Sequence, residues 1–441
     1  MNNTAKKIGM VSLGCDKNRV DTENVLYALT ERGYQLTQNV EEADILVVNT
    51  CAFITTAVRE SIDTILELAE QKQNRDVKIV VMGCFAERYA MEVKDDLPEV
   101  DAFIGVNSYA NVADIFDNLG NGRQIVLEKN PCGYLRGRVQ TTPAHYAYLK
   151  IADGCDNFCT YCAIPYIRGR YRSYPMEDLI EEAKGLADNG VKELIVVAQD
   201  TTRYGKDLYG KYMLTELLKE LVKLDFYRIR ILYAYPELVS DELIELIATE
   251  PKIAKYIDIP LQHVSNSILK AMHRRNTKEE AYALLTKLKE RCPDIAIRST
   301  FIVGFPGETE EDYNEVKELV ATGLIDYAGF FAYSKEKGTV AYKMKNQVPY
   351  KVKKAREKEL SKMQSYNIEA RHAKYVGKTM EVIYEGIDYN KGKFYGRPEY
   401  NAPDIDTKIY FTSDFPLEVG EVYDVKITKG GFNPQGKTVN K

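Results

Sequence analysis

The chain has 441 residues, 45% of them hydrophobic, and a net charge of −5. That length suits roughly two to four domains, and the charge argues against a generally basic nucleic-acid binder while leaving room for a local patch. No apolar run is long enough to span a membrane, and the opening Met1-Asn-Asn-Thr-Ala-Lys-Lys7 runs into a strand-like segment without a signal-peptide pattern, so the expected location is the cytoplasm.

Three short runs rich in β-branched residues come first, at 7–13, 43–49 and 77–82. Amphipathic, helix-like stretches separate them, which predicts βαβ units around a parallel sheet. A cysteine stands two residues after each run: Cys15, Cys51 and Cys84. The carboxyl ends of parallel strands share one edge, where ligands bind. The three cysteines are therefore expected to converge there and to hold an iron–sulfur cluster. Three ordinary buried thiols are the alternative, but the same placement in three successive units argues against coincidence. Cys132 and Cys292 fit no set and read as plain residues. The chain's eight cysteines read as metal ligands before disulfides.

The strand–helix rhythm restarts near residue 145. Strand-like runs fall at 146–151, 194–199, 228–235, 256–261, 295–303 and 327–333, with helix-like runs at 176–189, 213–223, 278–291 and 310–322. Six βα units predict an open partial (β/α)6 barrel rather than a closed eight-unit one, with its site on the loops after the strands. The first such loop reads Ile151-Ala-Asp-Gly-Cys-Asp-Asn-Phe-Cys-Thr-Tyr-Cys-Ala163. Its C-x3-C-x2-C spacing places three thiolates, Cys155, Cys159 and Cys162, where they can hold three irons of a [4Fe–4S] cube. The fourth iron is left to chelate a small molecule, and the partner matched to this spacing is S-adenosylmethionine. One electron splits that sulfonium into methionine and a 5′-deoxyadenosyl radical, chemistry that the cofactor carries and the protein positions. The competing zinc reading wants four ligands, often as two C-x2-C pairs, and no fourth Cys or His lies close downstream.

Gln199, Gln262 and the turn Gly304-Phe-Pro-Gly-Glu308 follow later strands. They are candidate cofactor contacts, because glycine admits a close backbone and a carboxamide or carboxylate can bond a ribose or an amino group. Turn chemistry alone explains Gly304-Phe-Pro-Gly307 equally well. Tyr161, inside the cysteine loop, is the candidate to flank the adenine. His263 and His273 stand without a partner pattern and read as structural.

Residues 350–374 are dense in charge and predict a linker helix with a solvated basic face. Short alternating runs follow at 379–384, 408–411 and 422–427, broken by turn residues, and predict a small antiparallel β-barrel. From 375 to 441, nine Lys and Arg stand against ten Asp and Glu, leaving −1. That is poor for phosphate contacts and better for a basic protein partner.

These parts, in this order, resemble the radical S-adenosylmethionine methylthiotransferases over nearly the whole chain. The fold class expected is α/β, with a methylthiotransferase amino-terminal parallel-sheet domain at 1–135, a radical core at 141–372 and a TRAM-like barrel at 375–441. Within the family, Ser12-Leu-Gly-Cys-Asp-Lys-Asn-Arg-Val-Asp21 resembles the branch acting on ribosomal protein S12. The transfer-RNA branch usually differs between that cysteine and the asparagine. The resemblance implies that a methylthio group is added to the β-carbon of an aspartate of S12. It implies two [4Fe–4S] clusters, one on Cys15, Cys51 and Cys84 and a catalytic one on Cys155, Cys159 and Cys162. It further implies two S-adenosylmethionine molecules, methyl donor and radical source, and an external electron donor. An adenosine of transfer RNA is the alternative substrate.

Overall fold

A computed structural model describes residues 5–439. Residues 1–4 of the opening segment and Lys441 of the tail's charge count lie outside the described residues. The chain forms two compact units, one of Met1–Thr141, Ala152–Tyr174 and Glu336–Thr339, the other of Thr142–Ile151, Pro175–Lys335 and Val340–Lys441. Among the described residues no helix is long and apolar enough to cross a membrane.

The first unit is built on six strands: β1 (Lys7–Ser12), β2 (Gln35–Leu36), β3 (Ile45–Thr50), β4 (Lys78–Gly83), β5 (Ala102–Ile104) and β6 (Gln124–Val126). They lie in the order β2-β1-β3-β4-β5-β6, every pair parallel. All six residues of β3 are buried, as expected of a central parallel strand covered on both faces. Helices α1 (Asp16–Glu31), α2 (Thr55–Ala69) and α3 (Cys84–Val93) follow β1, β3 and β4. Val25, Leu29, Ile65, Leu68 and Phe85 carry them onto the sheet's apolar core. β3 and β4 end closer to their cysteines than the apolar runs suggest, whereas β1 stops at Ser12, three residues before Cys15. Cys51 directly follows β3, and Cys84 opens α3, because polar Asn49 and Thr50 and small Gly83 continue the ladder.

In the second unit the six predicted strands are Tyr146–Lys150, Glu193–Val197, Arg228–Ile231, Tyr256–Asp258, Ala296–Val303 and Tyr327–Ala332. Two three-stranded parallel sheets result. The third and fourth strands join them through a parallel bridge between Ile229 and Ile253 and a bond from Ala234 N to Asp258 O of 2.8 Å. The third strand stops at Ile231, short of the predicted 235, because the chain turns at Tyr233, whose φ is 61°.

The linker helix spans Tyr350–Ala373. Its basic face is not wholly solvated: Lys353 and Arg356 are buried. Arg356 pairs with Glu308 and, at 2.8 Å, with Glu310, while Lys353 Nζ donates to Tyr333 O at 3.1 Å. The tail is a closed barrel of Thr379–Asp388, Lys393–Arg397, Ile409–Thr412, Val422–Lys429 and Gln435–Thr438, filled by Val382, Tyr384, Phe411, Val425 and Ile427. One pairing, Ile409–Thr412 with Gln435–Thr438, is parallel. A closed ring with an odd number of strands cannot alternate direction throughout. Buried ion pairs fasten the barrel to the strands of its own unit. Glu193 accepts from Arg230 Nε and Arg397 Nη2, each at 2.7 Å, and Tyr256 OH donates to Asp406 at 2.7 Å.

Candidate functional site

Cys15, Cys51 and Cys84 meet at the carboxyl edge of the first unit's sheet. A Cβ at Gly14 would lie 3.0 Å from Cys51 Cβ and 3.4 Å from its sulfur, so the loop bearing Cys15 abuts Cys51. Gly83 has a φ of 99°, and a Cβ there would stand 2.3 Å from Asn49 Oδ1 and 2.7 Å from Thr50 O; only glycine turns β4 into α3 here. Cys15 is the N-cap of α1 and Cys84 the first residue of α3. Helix N-termini favour thiolates, since their partial positive charge faces the sulfur.

Asn18 ties the edge together. Its Nδ2 donates to Leu13 O at 3.3 Å and Thr50 O at 3.0 Å, bracketing Cys15 and Cys51, and its Oδ1 lies 3.7 Å from Cys84 Sγ. Ser61 of α2 holds the backbone of Cys51, donating to its carbonyl at 2.9 Å. Glu336, from a remote segment, accepts from Thr55 N at 2.8 Å and so caps α2 just beyond Cys51. Burial pushes the Cys84 thiol up to about 12 and raises that of Cys51, while the charge of Arg168 pulls both back. Cys15 is exposed, leaving one side of the trio open.

The second cysteine set lies in the same unit, on Ala152–Tyr174. An antiparallel ladder of Ala152–Asp153 with Arg172–Ser173 closes the base of its loop. Cys155 N donates to Gly169 O at 3.1 Å, Cys162 N to Cys159 O at 2.9 Å, and Ile164 N to Cys162 Sγ at 3.4 Å. A backbone N–H on a sulfur supports a ligating thiolate. Phe158 takes the left-handed conformation, φ 47°, inside the C-x3-C turn. Cys155 and Cys159 are buried; Cys162 and Tyr161 are half-buried.

Sequence reasoning passed over Arg168, six residues past Cys162. It is 2% exposed. Its Nη1 donates to both carboxylate oxygens of Asp153 at 3.1 and 3.0 Å, and its Nη2 donates to Asp21 at 2.7 Å and to Asn18 Oδ1. The signal available was an arginine pair, Arg168 and Arg170, just after the cysteine loop.

The other candidates belong to the second unit. Gln199 follows its strand with Oε1 buried and unpartnered, as a ligand-facing carboxamide requires. Gln262 has a φ of 71° and bridges to Phe301 through its backbone, which leaves the side chain half-buried. Gly304 opens the predicted turn with a φ of 71°. Glu308 departs from expectation. Its Oε2 accepts from Gly304 N at 2.7 Å and Phe305 N at 3.3 Å, and Oε1 takes Arg356. Its carboxylate is spent on shaping the turn rather than offered outward. His263 Nε2 stands 3.4 Å behind it, fully buried.

The donor chemistry of both trios fits iron–sulfur ligation: thiols only, with no histidine anywhere in the first unit. An open run of parallel strands with a C-x3-C-x2-C loop after the first of them defines a radical S-adenosylmethionine enzyme. Residues 149–320 match the radical SAM superfamily, 7–105 match uncharacterized protein family UPF0004, and 376–431 match the TRAM domain. Ribosomal protein uS12 methylthiotransferase RimO of Lachnoclostridium phytofermentans is 48% identical over 429 residues, 96% of this chain and 97% of that protein. The protein of the same name from Pelotomaculum thermopropionicum is 48% identical over 442 residues, 98% and 99% of the two chains. The chain belongs to the ribosomal protein uS12 methylthiotransferase family. Its fold also resembles the radical S-adenosylmethionine methyltransferase TsrM of Kitasatospora setae, with a TM-score of 0.55 and 15% identity over 75% of this chain and 72% of that one.

Proposed function

We infer that this enzyme adds a methylthio group to the β-carbon of an aspartate of ribosomal protein uS12. The observation that carries the reading is the gathering of Cys15, Cys51 and Cys84 in one compact unit with the Cys155–Cys159–Cys162 loop, in a chain matched end to end by uS12 methylthiotransferases. Cys155, Cys159 and Cys162 hold one [4Fe–4S] cluster, and Cys15, Cys51 and Cys84 hold a second. When bound, the clusters and two S-adenosylmethionine molecules supply a hydrogen-abstracting radical and a methylated sulfur.

The remaining work belongs to the chain. Helix N-termini and Ile164 N–H stabilise the ligating thiolates. Tyr161 flanks the adenine, the carboxamides of Gln199 and Gln262 orient the cofactor, and Gly304 lets the backbone approach, with Glu308 holding that turn closed. The modules fall at 1–135, 141–372 and 375–441. An external electron donor serves the enzyme, which works in the cytoplasm on free uS12 or on the small subunit.

The test is reconstituted enzyme with S-adenosylmethionine, a reductant and either uS12 or transfer RNA. A mass gain of one methylthio group on uS12 is expected. A methylthio-adenosine with uS12 unchanged would transfer the assignment to RNA.

A further inference from the structure

We propose that Arg168 is a positioning residue that sets the charge around the amino-terminal thiolates from within the radical loop. The proposal rests on the two-cluster reading above. Arg168 is covalently part of the cysteine loop, bound to Asp153 at that loop's base, yet its other nitrogen reaches Asp21 and Asn18 of α1. Asn18 is the residue that brackets Cys15 and Cys51 and stands 3.7 Å from Cys84 Sγ. One fully desolvated guanidinium therefore touches the scaffolds of both cysteine sets.

Around it are Asp21 and Asp153, the thiols of Cys84 and Cys15, and the buried hydroxyl of Tyr109. Arg168 is the cation among these groups, so it offsets the negative charge gathered there. Its fork geometry matters as well as its charge, since it serves Asp153 with one nitrogen and α1 with the other.

The consequence concerns reduction of the amino-terminal cluster. Adding an electron adds negative charge, which a nearby buried cation favours and a nearby carboxylate opposes. Removing Arg168 should make that cluster harder to reduce, and neutralising Asp21 should make it easier. A residue that only supported the fold would not shift potential in opposite directions with opposite charge changes.

The experiment uses the full-length chain with Cys159→Ala, which leaves the amino-terminal set as the sole cluster site, loaded with iron and sulfide. Its potential is followed by electron paramagnetic resonance during redox titration. Arg168→Gln should lower the ratio of reduced to oxidised cluster at fixed potential at least tenfold, a fall of about 59 mV for one electron. Asp21→Asn should raise it, and Arg168→Lys should recover most of the Gln effect. Unchanged potentials in Arg168→Gln and Asp21→Asn, with iron retained, overturn the proposal. If Arg168→Gln fails to fold or to hold iron, Asp21→Asn decides alone: a raised potential supports it and an unchanged one overturns it. A Cys159→Ala chain that binds no iron refutes the two-cluster reading itself, and the proposal with it.

Discussion

Cys159 and Cys51 belong to different trios, and their loss should separate two steps. Cys159→Ala should abolish 5′-deoxyadenosine formation, measured by chromatography of the quenched reaction; retained product would remove the loop trio from the radical step. Cys51→Ala should keep that cleavage, lose methylthio transfer and bind about half the iron, since one of two cluster sites is gone. Gly83→Ala should resemble Cys51→Ala. With φ 99° and ψ −159° Gly83 lies in a region essentially reserved for glycine, which costs any other residue about 1–3 kcal/mol before the clash with Asn49 and Thr50 is counted; full iron content in this variant would contradict the described turn. The placement of the six cysteines was legible because spacing and strand-end position are local patterns. Arg168 was not, because its partner Asp21 lies 147 positions away and nothing local joins them. Glu308 shows the opposite failure: a carboxylate in a turn after a strand reads as a ligand contact, but its own turn's N–H groups claim it.

At the scale of elements, the helices with explicit start signals were read best. The helix Lys278–Arg291 matches its predicted bounds, and Thr277 with Glu280 forms a capping box at its start. The barrel strands Lys393–Arg397 and Gln435–Thr438 escaped notice, being short and interrupted by Gly396 and Gly436, where backbone of a neighbouring strand fills the space a side chain would need. The linker helix carries a pH-sensitive contact. His372 is buried, with Nδ1 2.9 Å from Gly431 O and Nε2 3.2 Å from Tyr327 OH. Burial holds its pKa below the usual 6.5. Because the folded value is the lower one, His372 contributes stability above pH 6.5, and that contribution fades as pH falls through the folded value. The second unit's melting temperature should therefore drop as acidity increases from neutral, and His372→Gln should flatten the dependence between pH 7 and 5. An equal slope in wild type and variant would exclude this histidine as the cause.

Across the whole molecule, buried charge does what apolar contact does elsewhere. Glu193, Arg230 and Arg397 are each fully buried, and Arg397 also takes Glu385 at 2.7 Å. The two arginines hold the Glu193 carboxyl well below the usual range despite burial. Glu193→Ala would strand the Arg230 guanidinium and leave Arg397 to Glu385 and Asn401, so a loss of about 3–5 kcal/mol in the stability of the second unit is expected, measured by denaturant unfolding; a change below about 1 kcal/mol would mean the network is solvated. None of this was legible in sequence, since core strand and barrel residue lie 204 positions apart. Three modules in order were legible, because each has its own period and punctuation. The substrate is the central claim, and the intact mass of ribosomal protein uS12 tests it most directly. In a host lacking this gene, uS12 should lose the mass of one methylthio group and regain it when the gene is restored. An unchanged uS12 mass would contradict the account.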